Sequence, residues 1–164
     1  MRICFLIFLS LAFSKCFAED FIYKEHTDND VYSINVKGED VFVNFGNDEI
    51  SKATSCMSSD YPVCFFSRRL SLILPKVMSD KSRWCVEEHC FSSARLIESP
   101  LNGYPHQVVY KIISPASATL FGRQTGKCTF WYYVEKVGIV AFQHSNESKI
   151  YELMGSRGIG YRGI

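Results

Sequence analysis

The chain has 164 residues, of which 47% are hydrophobic and 15% aromatic, and its formal net charge is +1. This length and composition are typical of one globular domain with one core. A charge so close to zero provides no strong field for nucleic acid or for an anionic membrane surface, so we expect neither as a partner.

The first 18 residues have the features of a secretory signal peptide. Arg2 supplies a positive charge, residues 3–13 form an apolar run, and Cys16 and Ala18 stand at the two positions that a signal peptidase reads. The run is much too short to cross a hydrocarbon core of about 30 Å as a helix. We predict cleavage after Ala18, a single mature domain of residues 19–164, and a periplasmic or extracellular location.

The predicted cleavage hardly changes the charge. Loss of Arg2 and Lys15 leaves 16 basic against 17 acidic residues, a net charge of −1. No later stretch is apolar enough to span a membrane, so we expect no membrane span.

The mature chain opens with a polar stretch, residues 19–30, which predicts a loose entry segment. Residues 31–36 and 40–45 alternate between apolar and polar positions and are rich in β-branched and aromatic side chains. With Gly38 in the turn, they predict a β-hairpin. Residues 47–55 predict one helical turn or a loop.

A second pair of strands is predicted at 63–67 and 70–76, after a polar loop flanked by Cys56 and Cys64. The oxidising location favours a disulfide between these two cysteines. Between the strands lie Arg68 and Arg69, which can grip a carboxylate or phosphate of a partner. A solvated turn is the more ordinary interpretation of that pair.

The segment CVEEHC, residues 85–90, contains two cysteines, two glutamates and a histidine. A zinc site would use Cys85, His89 and Cys90, but the spacing is unusual and the sequence offers no second pair of ligands. A four-residue hairpin loop would instead place the cysteines opposite each other on adjacent strands, within reach of a disulfide. We predict the disulfide and no bound metal.

The second half predicts strands at 106–113, 118–122, 127–134 and 138–144, and a possible short helix at 150–154. Cys128 is the odd cysteine and is predicted to be a buried free thiol, although a pairing of Cys64 with Cys128 stays open.

These patterns predict a mainly β fold: one compact antiparallel domain of about eight to ten short strands, as a bent sheet, sandwich or small barrel, stapled by disulfides.

Motifs for catalysis are missing from the sequence. It contains no nucleophile elbow, zinc-protease helix, phosphate-binding loop or dinucleotide fingerprint. Each of the four histidines is best interpreted as a surface or strand-end residue. We therefore predict no catalytic residue and no cofactor.

Four side chains in predicted loops are candidates for binding a partner: Arg68, Arg69, Tyr104 and Tyr161. Tyr161 belongs to the tail GSRGIGYRGI, which could cradle an anion but lacks the strand and helix that usually surround such a loop. A glycine-rich final strand or a mobile tail is the preferred interpretation.

The signal, the cysteine loop before CFFSRRLSLILPK, the segment WYYVEKVGIVAF and the glycine-rich tail together resemble small bacterial periplasmic proteins of the immunity or inhibitor kind. The resemblance implies a non-enzymatic binding protein that occludes a toxin or a cell-wall hydrolase. The alternative is a small secreted hydrolase or small-ligand carrier, which would combine Cys128 with His106 or His144.

Overall fold

The computed structural model describes residues 18–47, 50–67, 69–114 and 128–161, and this part of the chain contains strands but no helix. The strands are β1 (Ala18–Glu25), β2 (Val31–Lys37), β3 (Asp40–Phe45), β4 (Ser51–Ser55), β5 (Val63–Phe66), β6 (Ser71–Leu74), β7 (Lys81–Val86), β8 (His89–Arg95), β9 (Val109–Ser114), β10 (Thr129–Val134), β11 (Gly138–His144) and β12 (Ile150–Leu153).

One antiparallel sheet contains all these strands, in the order β6-β5-β4-β3-β2-β1-β12-β11-β10-β9-β8-β7. Strands that follow each other in the chain are neighbours except for β6 and β7, and the first and last strands pair with each other in the middle of the sheet. The sheet curls until its ends, β6 and β7, approach each other, so that it is barrel-like and nearly closed. The predicted mainly β, antiparallel, disulfide-stapled fold class is confirmed.

Along each strand, successive side chains point alternately to the inside and the outside of the curled sheet. Aromatic side chains supply much of the inner core, and Trp131 and Phe142 lie in contact there with ring centroids 5.0 Å apart. Burial of apolar surface, at about 25 cal/mol per Å², is the main force that holds the sheet in this curled form. The largest fully buried aromatic residues are Tyr23, Phe65, Phe91, Trp131 and Phe142.

A smaller apolar cluster lies outside the sheet, where the loop between β8 and β9 covers β10 and β11. Leu101 and Tyr104 of this loop pack with Tyr132, Val134 and Val140. Strand β10 is therefore covered on both faces, which explains why its sequence TFWYYV is an almost continuous apolar run.

Strand β6 is one of the two end strands of the sheet. Two tryptophans cover its unpaired edge. The indole N–H of Trp131 donates to the carbonyl oxygen of Ser71 at 3.0 Å, and that of Trp84 donates to Ile73 at 3.2 Å. All four residues of β6 are buried. Since a buried backbone carbonyl without a partner is costly, these indoles replace the hydrogen bonds that a neighbouring strand would provide.

The entry segment that was expected to be loose is largely strand β1. Phe21, Tyr23 and Glu25 are buried on its inner face, with exposed or half-buried residues between them. Hydrogen bonding to β2 on one side and β12 on the other fixes this polar sequence as a central strand. Residues 1–17 lie outside the described part, so cleavage after Ala18 stays a prediction.

Two segments expected to be helix or loop are also strands. Residues 51–55 form β4, in which Ala53 alone is buried, so the sequence carries no alternating apolar signal. Residues 150–153 form β12, which pairs with both β1 and β11. In each case pairing with neighbouring strands overrides weak local preferences. The strand predicted at 118–122 lies outside the described residues.

Both predicted disulfides, Cys56–Cys64 and Cys85–Cys90, are present. Cys85 and Cys90 are direct partners across the β7–β8 hairpin, with Cα atoms 4.1 Å apart. Their sulfur atoms bond to each other and so do not serve as zinc ligands, and the His89 ring packs 4.2 Å from that of Phe66. Cys128 is a free cysteine and is half-buried rather than enclosed in the core.

In the described ranges, no helix is long and apolar enough to cross a bilayer.

Candidate functional site

The glycine-rich tail is docked against the start of β11. The amide of Gly158 donates to the carbonyl of Val137 at 2.8 Å, and the amide of Ile139 donates to that of Ile159, also at 2.8 Å. Ile159 is almost completely buried. As far as Tyr161, the tail is therefore a fixed part of the fold, and neither the final strand nor the mobile tail expected from the sequence describes it.

The close approach of the tail to β11 requires glycine. A Cβ atom at Gly158 would lie 1.9 Å from the carbonyl oxygen of Ile139. Gly160 has a φ of 75° and lies against the side chain of Leu74. These glycines serve close packing, not the cradling of an anion.

A cleft of about 280 Å³, here called the tail cleft, opens where the docked tail meets the inner face of β1–β3. Ile159, Gly160 and Tyr161 form the wall that the tail supplies. The side chains of the other walls are mainly apolar and include Phe21, Val36, Val41, Met57, Val63 and Phe65.

The Cys56–Cys64 disulfide positions a further wall of the tail cleft. It closes the loop from which Met57 and Pro62 line the cleft, and the amide of Cys56 also donates to the carbonyl of Cys64 at 3.0 Å. This short covalent ring holds the loop close to β5. The disulfide and this hydrogen bond therefore restrict the movement of this wall.

The rim of the tail cleft carries an aromatic ring and both signs of charge. Tyr161 is 36% exposed, and the guanidinium carbon of Arg157 lies 4.5 Å from the centre of its ring. Glu19 lines the cleft near the start of β1. A cation over an aromatic face is a favourable contact, so Arg157 helps to hold the exposed ring of Tyr161 at the rim.

Of the three predicted binding residues that the structure describes, only Tyr161 lines the tail cleft. Tyr104 packs instead on the outer cluster, where burial raises its pKa. Arg68 lies outside the described residues. The sequence did not identify Met57 and Phe21 as cleft residues, although the flanking cysteines mark the loop that contains Met57.

Arg69 lies at the opposite end of the sheet from Tyr161. Its guanidinium carbon is 5.0 Å from the ring centre of Phe45, and it interacts with the hydroxyl of Tyr32. Tyr32 and the cleft residue Val36 are four positions apart in β2, or about 13 Å along the strand. The three predicted binding residues that the structure describes therefore do not form one site.

A buried polar network closes the end of the sheet near Arg69. The hydroxyl of Tyr32 lies 3.4 Å from Nε2 of His144, and the hydroxyl of Thr129 lies 3.2 Å from Nδ1 of the same ring. His144 is 7% exposed, so it is a buried strand-end residue and not a surface one. With both ring nitrogens engaged, this imidazole is suited to holding the fold together.

Tyrosines around this network have a raised pKa. Burial raises the pKa of Tyr151 to about 12 and also raises that of Tyr32, although Arg69 partly opposes the effect at Tyr32. Burial also raises the pKa of Tyr23, whose hydroxyl donates to the carbonyl of Ile139 at 3.2 Å. The folded protein therefore holds these phenolic protons more tightly than the unfolded chain does.

Alkaline pH should destabilise the protein steeply. A raised folded pKa gives stability that is complete below the unfolded value of about 10 and is lost as the pH rises through the folded value. We expect the free energy of unfolding to be nearly constant from pH 8 to 9.5 and to fall above pH 10. Urea titrations at each pH, with absorbance at 295 nm to follow tyrosinate, measure this.

Tyr151→Phe is the control, because it removes one phenol and keeps the ring. Its stability should fall less between pH 10 and 12 than that of the parent protein. An identical pH dependence in the two proteins would contradict the assignment of a raised pKa to Tyr151.

Cys128 directly precedes β10. Its amide donates to Oγ of Ser145 at 3.1 Å, and the amide of Ser145 donates to the carbonyl of Cys128 at 2.8 Å. The next residue, Thr129, is the one whose hydroxyl meets His144. Because successive side chains along a strand point to opposite faces, this geometry directs the thiol away from that imidazole.

Comparisons with protein-family models, with curated proteins and with solved structures found no match to this chain.

Proposed function

We propose that the protein is a non-enzymatic binding protein of an oxidising compartment, which uses the tail cleft to hold and occlude a partner protein. The observation that carries the proposal is the cleft itself: an apolar recess with a disulfide-tethered wall, a docked tail and the Tyr161 ring, in contact with Arg157, at its rim. Partner proteins of the expected class are a toxin or a cell-wall hydrolase, for which this chain would act as an immunity protein or inhibitor.

The size of the cleft favours a side chain of a partner over a free small molecule. Its volume of about 280 Å³ lies just below the range of roughly 300–1,000 Å³ that small-molecule pockets occupy. One or two apolar side chains on a protruding loop fit such a space. A few buried anchors of this kind, surrounded by a polar rim, supply most of the affinity in protein interfaces.

The filled interior supports an occluding role better than a carrier role. Trp131, Tyr23 and Phe142 occupy the inside of the curled sheet as fully buried side chains. Strand β6 lies against them, completely buried. A carrier of small apolar ligands would need that space for its cargo.

The two disulfides support a location outside the reducing cytosol. Bonds of this kind form and persist in the periplasm and in extracellular space, which agrees with the predicted signal peptide. Secretion and the nature of the partner are parts of the same proposal.

Filling the cleft should abolish partner binding. We expect the immobilised mature protein, residues 19–164, to retain a partner at stoichiometric level from the secreted or periplasmic fraction of its source. Met57→Trp places an indole in the cleft and should reduce this retention at least tenfold. The captured protein is then identified by mass spectrometry and assayed for hydrolytic activity, which the parent should inhibit and Met57→Trp should not.

Ile97→Trp is the matched control. Ile97 is fully exposed in the loop after β8 and does not line the cleft, so this variant adds the same indole to the surface elsewhere. It should retain the partner as the parent does. Equal retention by all three proteins, or retention by none, would refute the proposed role of the cleft.

A further inference from the structure

We propose that the outer face of β1–β3 carries a second binding site, which takes an uncharged saccharide. The site is a groove of about 390 Å³, here called the polar groove, on the side of these strands opposite to the tail cleft. Its polar lining comes from Asp20, Ser33, Asn35, Lys37 and Asn44, and its apolar lining from Phe42 and Ile50. This inference is independent of the partner at the tail cleft.

Strand register brings the polar side chains of the groove together. Asn35 is opposite Asp20 on one side and Phe42 on the other, and Asn44 is opposite Ser33. All five alternate with inward-facing residues, so they share the outer face. Side chains directly opposite each other on antiparallel strands have Cβ atoms about 4.5–5.5 Å apart, which is a suitable spacing for one ligand to contact several of them.

The amide groups of Asn35 and Asn44 have fixed orientations. The NH₂ group of Asn35 donates to the carboxylate of Asp20, and that of Asn44 donates to the carbonyl of Gly46 at 3.4 Å. A carboxylate and a backbone carbonyl only accept hydrogen bonds, so each amide must present its NH₂ group to them. The two Oδ1 atoms, which can only accept hydrogen bonds, therefore point away from Asp20 and Gly46.

Both of these Oδ1 atoms are shielded from solvent and have no hydrogen-bond partner. Leaving a shielded acceptor unpaired is unfavourable, and a donor supplied by a ligand would recover that loss. The proposed ligand therefore has to rotate the surrounding side chains as it binds, so that its hydroxyl groups reach these acceptors. The groove therefore selects for a molecule that offers several donors close together.

Charge and ring contacts narrow the ligand class to an uncharged saccharide. The carboxylate of Asp20 and the ammonium of Lys37 balance each other, so the groove does not favour an ion of either sign. The half-buried ring of Phe42 offers an apolar surface between polar groups. Sugar rings combine vicinal hydroxyl donors with an apolar C–H face, and both features match this arrangement.

Titration with soluble sugars tests the site. Cellotetraose, maltotetraose and chitotetraose are added in turn to the ¹⁵N-labelled, disulfide-bonded mature protein. We expect at least one of them to shift, in a saturable way, the side-chain amide signals of Asn35 and Asn44 and the backbone signals of β2 and β3. Asn44→Val should weaken that binding about tenfold, the effect of one lost hydrogen bond.

Asn44→Val also reports on folding. It removes an acceptor without a partner and introduces a residue that favours strands, so its thermal midpoint should equal or exceed that of the parent. Asn102→Ala, in an exposed loop outside the groove, is the matched control and should bind sugar normally.

Three results would overturn the inference. One is the absence of groove shifts with all three sugars, and another is unchanged affinity in the folded Asn44→Val variant. The third is saturable groove shifts with calcium chloride and none with sugars, because carboxylate and amide oxygens also suit that cation.

Discussion

Gly158→Ala is expected to lower the free energy of unfolding by at least about 3 kcal/mol, because it forces a methyl group into the backbone of β11. The added Cβ would lie 1.9 Å from the carbonyl oxygen of Ile139 and 2.8 Å from its carbonyl carbon. Backbone atoms cannot rotate away as a side chain can. The tail must therefore separate from β11, and the hydrogen bonds of Gly158 and Ile159 to that region are lost with it.

Thermal unfolding measures this effect. For a chain of this size, about 3 kcal/mol corresponds to a decrease of roughly 6–12 °C in the midpoint. Gly103→Ala is the control, because no atom lies within 4 Å of the Cβ position at Gly103. That substitution should change stability by no more than about 0.5 kcal/mol. If Gly158→Ala behaved like the control, the docking of the tail against Ile139 would be wrong.

The tail also links this prediction to function. Ile159, Gly160 and Tyr161 form one wall of the tail cleft, so a variant that releases the tail should lose partner binding even where the core stays folded. Met57→Trp fills the same cleft without disturbing the tail. We expect both variants to lose partner binding and only Gly158→Ala to have a lower thermal midpoint. This pattern is expected if the tail and the loop after Cys56 build one site.

The hairpins of this fold could be predicted because their own residues carry the signal. Alternation at 31–36 and 40–45 gave β2 and β3, and the two cysteines of CVEEHC gave the β7–β8 hairpin with its disulfide. In each case the information lies within about a dozen consecutive residues. Local pattern and final pairing agree there, as minimally frustrated sequences require.

Strands that depend on distant partners could not be predicted. Strand β1 has charged or polar residues at both ends, and β4 has a single buried residue, Ala53. Their pairing energy comes from β12 and from β3 and β5, which the local sequence does not contain. Strand β12 spans only four residues, too few to distinguish the periods of strand and helix.

The candidate sites were still harder to foresee. The tail cleft combines β1–β3, the loop after Cys56 and the tail, which are separated by up to about 140 residues of chain. Side chains such as Phe21 and Met57 have no chemical signature by themselves, and only the curled sheet brings them together. Tyr161 was a candidate from the sequence because aromatic side chains in loops often anchor interfaces, and it lies in the wall of the tail cleft.

The two faces of β1–β3 show why alternation matters for function as well as for folding. Phe21 and Val36 face the tail cleft, whereas their immediate neighbours Asp20 and Asn35 face the polar groove. A shift of one residue in the register would exchange the two linings. The pairing of β1 with β2 over seven residue pairs therefore fixes both sites together.

Trp131→Phe is expected to destabilise the protein by about 2–4 kcal/mol, from two additive causes. The substitution leaves the carbonyl of Ser71 without its indole donor on the buried free edge of β6. It also leaves part of the indole volume empty in the core, where Trp131 is completely buried. Chemical denaturation, with the unfolding midpoint and slope both recorded, measures the loss.

Trp84→Phe is the comparison variant, because it removes the other indole hydrogen bond to β6. Trp84 caps the neighbouring carbonyl of Ile73 but is 8% exposed, so water can reach the vacated position more easily and a smaller loss is expected. Amide hydrogen exchange in β6 provides a second measurement, since release of the edge should speed exchange there more in Trp131→Phe than in Trp84→Phe. Exchange in β6 that stays as slow in both variants as in the parent would mean that packing alone, without the indole hydrogen bonds, protects the open edge of the sheet.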